Sequence, residues 1–411
     1  MAGALHRALL LLFALAACSR SDAQVPTVST PHDPLLQHHE IRAEQLPAPY
    51  DTPSAGNPPF VVGPPKDARL HLPPGFRINI FAGGFDDPRT MLLAPNGDVI
   101  VAEPGGGRVT ILRDANHDGV AEVRSTFASG LNSPFGLALL GGFLYVGNED
   151  AVVRFAYRPG DLKASGKPQT ITPLPAGGHS TRGLLVSRDG TKLYVSVGSA
   201  SNVSREDPPR ASILVMNPDG SGRRTFASGL RNPIGMALEP HGGALWTVVN
   251  ERDGLGDDLV PDFATEVRDG AFYGWPYAYL GRHEDPRRRG ERPDLVARTV
   301  APSLLIQAHS APIGMAFYTG TMFPAEYRGN AFVALHGSWN RSRRTGYKII
   351  RIPFKNGQPS GGYDDFVAGW MLDENSRRVW GRPACLLVLG DGSLLISDDG
   401  AGKIWRASFL Q

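Results

Sequence analysis

The sequence predicts an all-β fold, a single six-bladed β-propeller, and two observations carry that expectation. A phrase recurs six times: Pro or a small or charged residue, a short apolar run, a turn, then a strand ending in small or acidic residues. Its spacing starts near the ~40 to 50 residues of a propeller blade. The chain also carries 49 Gly and 35 Pro, and no long stretch sustains a helical period.

The copies follow in order. Asp87-Pro88-Arg89-Thr90-Met91-Leu92 leads to Val99–Glu103, Ser133-Pro134-Phe135-Gly136-Leu137-Ala138 to Leu144–Asn148, and Ser180-Thr181-Arg182-Gly183-Leu184-Leu185 to Leu193–Gly198. Asn232-Pro233-Ile234-Gly235-Met236-Ala237 leads to Leu245–Glu251, Ala311-Pro312-Ile313-Gly314-Met315-Ala316 to Ala331–His336, and Arg382-Pro383-Ala384-Cys385-Leu386-Leu387 to Ser393–Asp399. A blade cannot bury both faces of its own sheet, so six blades pack radially around a channel. The phrases are expected to supply the inner halves of the blades, which brings their loop ends together at one mouth. The longer fourth and fifth intervals, around 253–302 and 340–379, are expected to add loops over that mouth, where such loops usually carry function.

Length alone suggests two to three domains, but a closed propeller of this size is one, expected over 66–411. Lys and Arg total 42 against 40 Asp and Glu, a net charge of +2, which supplies no global field for nucleic acid. His6 and Arg7 precede the apolar run Ala8–Ala17, too short to span a bilayer. Its end, Leu15-Ala16-Ala17-Cys18, resembles a bacterial lipobox, which implies a signal peptide over 1–18 and a lipid-anchored periplasmic protein attached through Cys18; an ordinary secretory peptide cleaved near Ala23 is the alternative. A Pro-rich tether is expected over 19–65. With Cys18 used, Cys385 alone remains, so no internal disulfide forms.

The densest constellation holds Gly229-Leu230-Arg231-Asn232-Pro233, then Asn250-Glu251-Arg252-Asp253-Gly254 before Asp257-Asp258, then Gly274-Trp275-Pro276. Taken with His179 in Gly177-Gly178-His179-Ser180-Thr181-Arg182-Gly183, this ordered set resembles the soluble quinoprotein sugar dehydrogenases that use pyrroloquinoline quinone (PQQ), the L-sorbosone dehydrogenase branch above all. The resemblance covers about 70–409. It implies oxidation of an aldose or a sugar-derived aldehyde by hydride transfer to PQQ, with calcium as a second cofactor and a periplasmic quinone or cytochrome as electron acceptor.

PQQ carries three carboxylates, and arginine offers planar, permanently charged forks for such groups; Arg231, Arg252 and Arg382 sit at loop ends of different phrases. Asn232, His336 and Trp380 join them as candidate cofactor contacts: His336 stands where glucose-oxidising relatives place a lysine, and Trp380 where they have a second arginine. Calcium accepts backbone carbonyls, and the resemblance assigns it the carbonyls of Asp253 and Gly254, although Arg252, Asp253 and Gly254 depart from the family's Glu-Gln-Gly-Pro; Asp257 and Asp258 as mere turn caps are the alternative. His179 is the expected general base. Arg182-Gly183 inverts the family's Gly-Arg order, which leaves the role of Arg182 open. Ile234 replaces a glutamine that touches substrate in the glucose oxidisers, an argument against glucose.

Asp114, Asn116 and Asp118, in Asp114–Glu122, place oxygen donors at alternating positions before Gly119, as in half a calcium loop or as in a metal-free hairpin turn. Two other classes compete with the dehydrogenase: a propeller lactonase or hydrolase holding a channel metal on Asn148, Glu149, Asn250 and Glu251, and a propeller that only binds protein or glycan. No Cys-x-x-Cys-His and no phosphate-binding Gly loop occurs, so neither haem nor nicotinamide is supported.

Overall fold

The computed structural model describes residues 27–28 and 33–410. Six sheets are each built from an inner strand that opens one of the six phrases and a second strand that closes it: Met91–Leu93 with Val99–Glu103, Gly136–Leu140 with Phe143–Gly147, and Leu184–Val186 with Leu193–Val197. Pro233–Leu238 with Leu245–Val249, Pro312–Phe317 with Ala331–Leu335, and Pro383–Val388 with Leu394–Asp398 complete the ring. Two further antiparallel strands finish each blade. In the sixth blade the outermost strand is Phe76–Gly83, which pairs with Lys403–Phe409 and so fastens the two ends of the domain together.

Radial packing explains why the second strands read as continuous apolar runs. Each lies between two neighbouring blades and is covered on both faces, so every residue of Val99–Glu103, Leu245–Val249, Ala331–Leu335 and Leu394–Asp398 is buried. The glycine of the phrase has an equally direct cause. At Gly136, Gly183, Gly235 and Gly314 an added methyl would collide with the backbone of the next blade, at Arg182, Ile234, Met315 and Ala384 respectively. Only a residue without a side chain lets the inner strands converge so closely.

Partway along the channel, Phe135, Ile234, Ile313, Ala384 and Cys385 form an apolar plug contributed by four blades. The loops before the inner strands and after the second strands therefore close over a blind cleft. Of the 253–302 insertion, Leu255, Leu259, Val260 and Tyr279 form a satellite core of their own.

Cys18 and the leader lie outside the described residues. Where a free tether was expected over 19–65, residues from 33 onward are laid on the propeller. His38–His39 adds a fifth strand to the fifth blade against Tyr363–Asp364, and Phe60–Val61 pairs in parallel with Arg378–Val379. Between them Tyr50 donates its N–H to Leu255 O (2.8 Å) and Asn57 to Trp339 O (2.7 Å). Proline content alone does not separate a flexible linker from a segment whose backbone donors find partners on a folded surface.

Candidate active site

The blind cleft encloses about 660 Å³ including its open mouth and is lined by His179, Arg231, Asn232, Asn250, Glu251, Asp253, Asp262, His309, His336, Trp339, Asn340 and Arg382, with Ile313 of the plug among the apolar walls. Five expected contacts, His179, Arg231, Asn232, His336 and Arg382, thus converge from four blades.

His179 is held by its backbone and by its ring. Its N–H donates to Ser199 O (3.0 Å), and Nδ1 lies 2.7 Å from the same carbonyl oxygen. A carbonyl only accepts, so Nδ1 carries the proton. Nε2 makes no hydrogen bond among the described residues, leaving a lone pair on the cleft side. Burial, reinforced by the neighbouring Arg231 charge, pushes the imidazole down to about 4, so it stands neutral and able to accept a proton at pH 7. The loop carrying it is knitted by Arg182, which is fully buried and donates to the carbonyls of Pro175 (2.6 Å), His179 (2.5 Å) and Thr181 (2.9 Å). That answers the question raised by the inverted Arg182-Gly183 order: Gly183 makes the close approach to the next blade, and Arg182 ties the loop from beneath.

The two cleft arginines differ in what they have left to give. Arg231 donates through Nε to Asn202 O (3.2 Å), through Nη1 to Asn250 O (3.4 Å) and Glu251 O (2.8 Å), and through Nη2 to Asp253 Oδ2 (3.2 Å). Four of its five N–H groups are spent holding neighbouring loops. Asn202 braces the same corner, its amide exchanging two hydrogen bonds with the Asp253 backbone at 2.8 Å each, while its own carbonyl also accepts from Trp275 Nε1 (2.8 Å).

Arg382 is the freer fork. Its Nε approaches His336 O (3.4 Å) and Nη2 donates to His336 Nδ1 (2.9 Å), which leaves three N–H groups without a partner among the described residues. His336 can accept there because Nε2–H is committed to Asp399 Oδ2 (2.7 Å), an oxygen that also pairs with Arg89 Nε (2.7 Å). Burial pushes His336 down to about 3, with the Arg382 and Arg89 charges outweighing part of the pull of Asp399. Burial works against the Asp399 carboxylate, but Arg89, then His336, holds it well below the usual range. Both ring nitrogens of His336 are thus taken, Nδ1 by Arg382 and Nε2 by Asp399, and neither is left free for the contact expected of it.

Three expectations do not meet at the cleft. Arg252 turns away and is buried beside Asp285, its Nε 3.0 Å from Oδ2 but without a well-directed hydrogen bond; the insertion supplies a counter-charge and draws it inward. Trp380 is buried among Trp370 and Trp405 and donates to Gly369 O (2.7 Å), a packing residue. Gly254 is not among the residues lining the cleft, and the Asp253 carbonyl accepts from Asn202 Nδ2 (2.8 Å). It is the Asp253 carboxylate that reaches the cleft. Burial would raise it, but His309, Arg231 and the amide of Asn340 keep it ionised. Ile234 belongs to the plug below.

The sequence did not single out Asp262, His309, Trp339 or Asn340. Asp262 accepts the N–H groups of Glu251 (2.9 Å) and Ala311 (2.8 Å) and so staples two cleft loops; burial raises it, like Glu251, to about 7. His309 precedes the fifth phrase much as His179 precedes the third, a signal that was available. Away from the cleft, carboxylate oxygens of Asp114, Asp118 and Glu122 lie within 4.8 Å of one another. The carboxylates of Asp114, Asp118 and Glu122 and the amide of Asn116 accept N–H groups of the same loop. Asn148 and Glu149 are absent from the cleft lining, which disperses the metal set a channel hydrolase would need.

Fold and cleft together define a six-bladed propeller with an active-site cleft that bears histidines and arginines. The TrAA12-like family model matches residues 70–267 and 292–407, and the chain belongs to that family. It is 24% identical over 400 residues to a pyrroloquinoline quinone-dependent pyranose dehydrogenase of Coprinopsis cinerea, covering 82% of this chain and 54% of that one. An uncharacterized protein of Borreliella burgdorferi is 28% identical over 356 residues, 83% of this chain and 91% of the other. Among solved structures, the calcium structure of the Trichoderma reesei carbohydrate-active enzymes family AA12 superposes with a TM-score of 0.73 at 22% identity, over 85% of this chain and 98% of that one.

Proposed function

We propose that this chain is a PQQ-dependent sugar dehydrogenase. The observation that carries the reading is the pairing, within one cleft, of a neutral imidazole with an open Nε2 and an arginine with three unspent N–H groups. A tricarboxylated quinone fits these residues: Arg382 and the remaining N–H of Arg231 would hold carboxylates, and Asn232, whose buried Oδ1 lacks a partner among the described residues, offers a polar contact. When bound, the quinone supplies the two-electron acceptor for a carbon-bound hydride. His179 would take the hydroxyl proton of the sugar at Nε2, while Nδ1–H on Ser199 O keeps the ring in the tautomer able to do so. The plug of Ile234 and Ile313 closes the cleft to water from below.

Calcium is a weaker fit. Of the carbonyls expected to hold it, that of Asp253 already accepts from Asn202 and Gly254 does not line the cleft, and no step here depends on it. Export with a lipid anchor at Cys18, a quinone or cytochrome as acceptor, and sorbosone-like aldehydes as substrates are further parts of the proposal that rest on the leader and on the family resemblance. The test is reduction of a dye by PQQ-loaded protein on addition of aldoses, with His179→Asn as the comparison. Sugar-dependent turnover in wild type and its loss in the variant support the reading; no turnover with any aldose or sugar-derived aldehyde overturns it.

A further inference from the structure

Five of the six tryptophans are shut into the fold: Trp246, Trp275, Trp370, Trp380 and Trp405 are each 3% exposed or less, whereas Trp339 is 51% exposed. Its position is nonetheless fixed. On one side Ser338 O accepts from Arg344 Nη1 (2.9 Å) and the Tyr347 hydroxyl (2.6 Å), and Ser338 Oγ accepts the Thr345 N–H (3.0 Å). On the other, the amide of Asn340 donates to the Asp253 carboxylate and lies 3.1 Å from His309 Nδ1. Trp339 O itself takes the N–H of Asn57 (2.7 Å). A rigid backbone thus presents a large indole at the edge of the cleft, with no ring stacked on it and no hydrogen bond from Nε1 among the described residues.

Leaving so large an apolar ring in water forgoes the burial that normally drives its packing. The polar groups of the cleft, His179, Asn232 and Arg382, lie on its other walls. A pyranose matches that division, since one face of its ring is a patch of C–H groups and its rim is hydroxyl; an open-chain hydroxyaldehyde has no comparable face. We propose that Trp339 is a stacking platform that selects cyclic, pyranose-form sugars over open-chain aldehydes. This rests on the dehydrogenase reading and narrows its substrate class.

Iodide quenching of tryptophan fluorescence on the full chain reads the platform without turnover. The iodide-accessible fraction should be lost in Trp339→Phe, and a saturating aldopyranose should protect it in wild type; absence of protection overturns the proposal even where no oxidation is seen. In PQQ-loaded protein, Trp339→Ala should raise KM for the pyranose about tenfold with kcat within about twofold, Trp339→Phe should recover most of the loss, and KM for glyceraldehyde should not move. An equal rise for glyceraldehyde would make Trp339 a general structural element. A weakened PQQ titration in Trp339→Ala would place the cofactor on the indole instead. Failure of wild type to bind PQQ at all would sink the dehydrogenase reading and leave the quenching result to decide the platform alone.

Discussion

Replacing Arg382 by Gln isolates the more open of the two cleft arginines among the described residues. Arginine has five N–H groups; two are directed at His336, through Nε to its carbonyl and Nη2 to Nδ1, so three remain for an anion. Gln offers two uncharged donors on a shorter stem. A hydrogen bond to a charged group is worth about 1.5–3 kcal/mol, so losing two such bonds costs about 3–6 kcal/mol, or roughly 10²- to 10⁴-fold in Kd. The backbone N–H of residue 382 stays on Asp398 Oδ1 (2.7 Å), and thermal stability should change little. The assay is spectrophotometric titration of metal-free and metal-loaded apo protein with PQQ, beside Arg231→Lys as a contrast. Because Arg231 spends four N–H groups on Asn202, Asn250, Glu251 and Asp253, its substitution should lower Tm more than Arg382→Gln does. A Kd within threefold of wild type for Arg382→Gln would refute the assignment of the free fork.

His179→Asn should keep PQQ affinity and lose about 10²-fold or more in kcat. In wild type, kcat/KM should fall as pH drops through the imidazole's own titration, on a limb displaced well below the ordinary 6.5 toward about 4, because a base protonated below its folded pKa cannot accept a proton; a wild-type limb at 6.5 or above would contradict the burial argument. Arg182→Met strips partners from the carbonyls of Pro175, His179 and Thr181, at about 1–3 kcal/mol for each buried carbonyl left unsatisfied, so both Tm and kcat should fall, and an unchanged kcat would free the His179 loop from this tie. Membrane fractionation should find wild type with the envelope and Cys18→Ser released; a wholly soluble wild type removes the lipid anchor without touching the cleft.

Much of this was legible because the repeat is local. Each phrase carries its own turn and both of its strands, so all six inner pairs could be placed, and with them the loop ends that hold His179, Asn232 and Arg382. The closing strand Phe76–Gly83 was not, since its partner Lys403–Phe409 lies at the other end of the chain and neither segment signals the other. Arg252 and Trp380 illustrate a second limit: they occupy the right loops, but a rotation of the backbone by one residue sends a side chain to the opposite face. For Arg252 that direction is set by Asp285, and for Trp380 by Trp370 and Trp405. The cleft wall at Trp339 and Asn340 comes from a loop packed on Asp253 and Asn57, contacts that no spacing rule encodes, whereas His309 stands ahead of its phrase as His179 does.

Binding of PQQ by apo protein, followed through the quinone absorbance at equilibrium, tests the cleft most directly. Wild type and His179→Asn should saturate at one PQQ per chain, and Arg382→Gln should show a marked loss of affinity. Absence of saturable binding in the wild-type protein, or binding that Arg382→Gln leaves intact, would contradict the assignment of PQQ to this cleft.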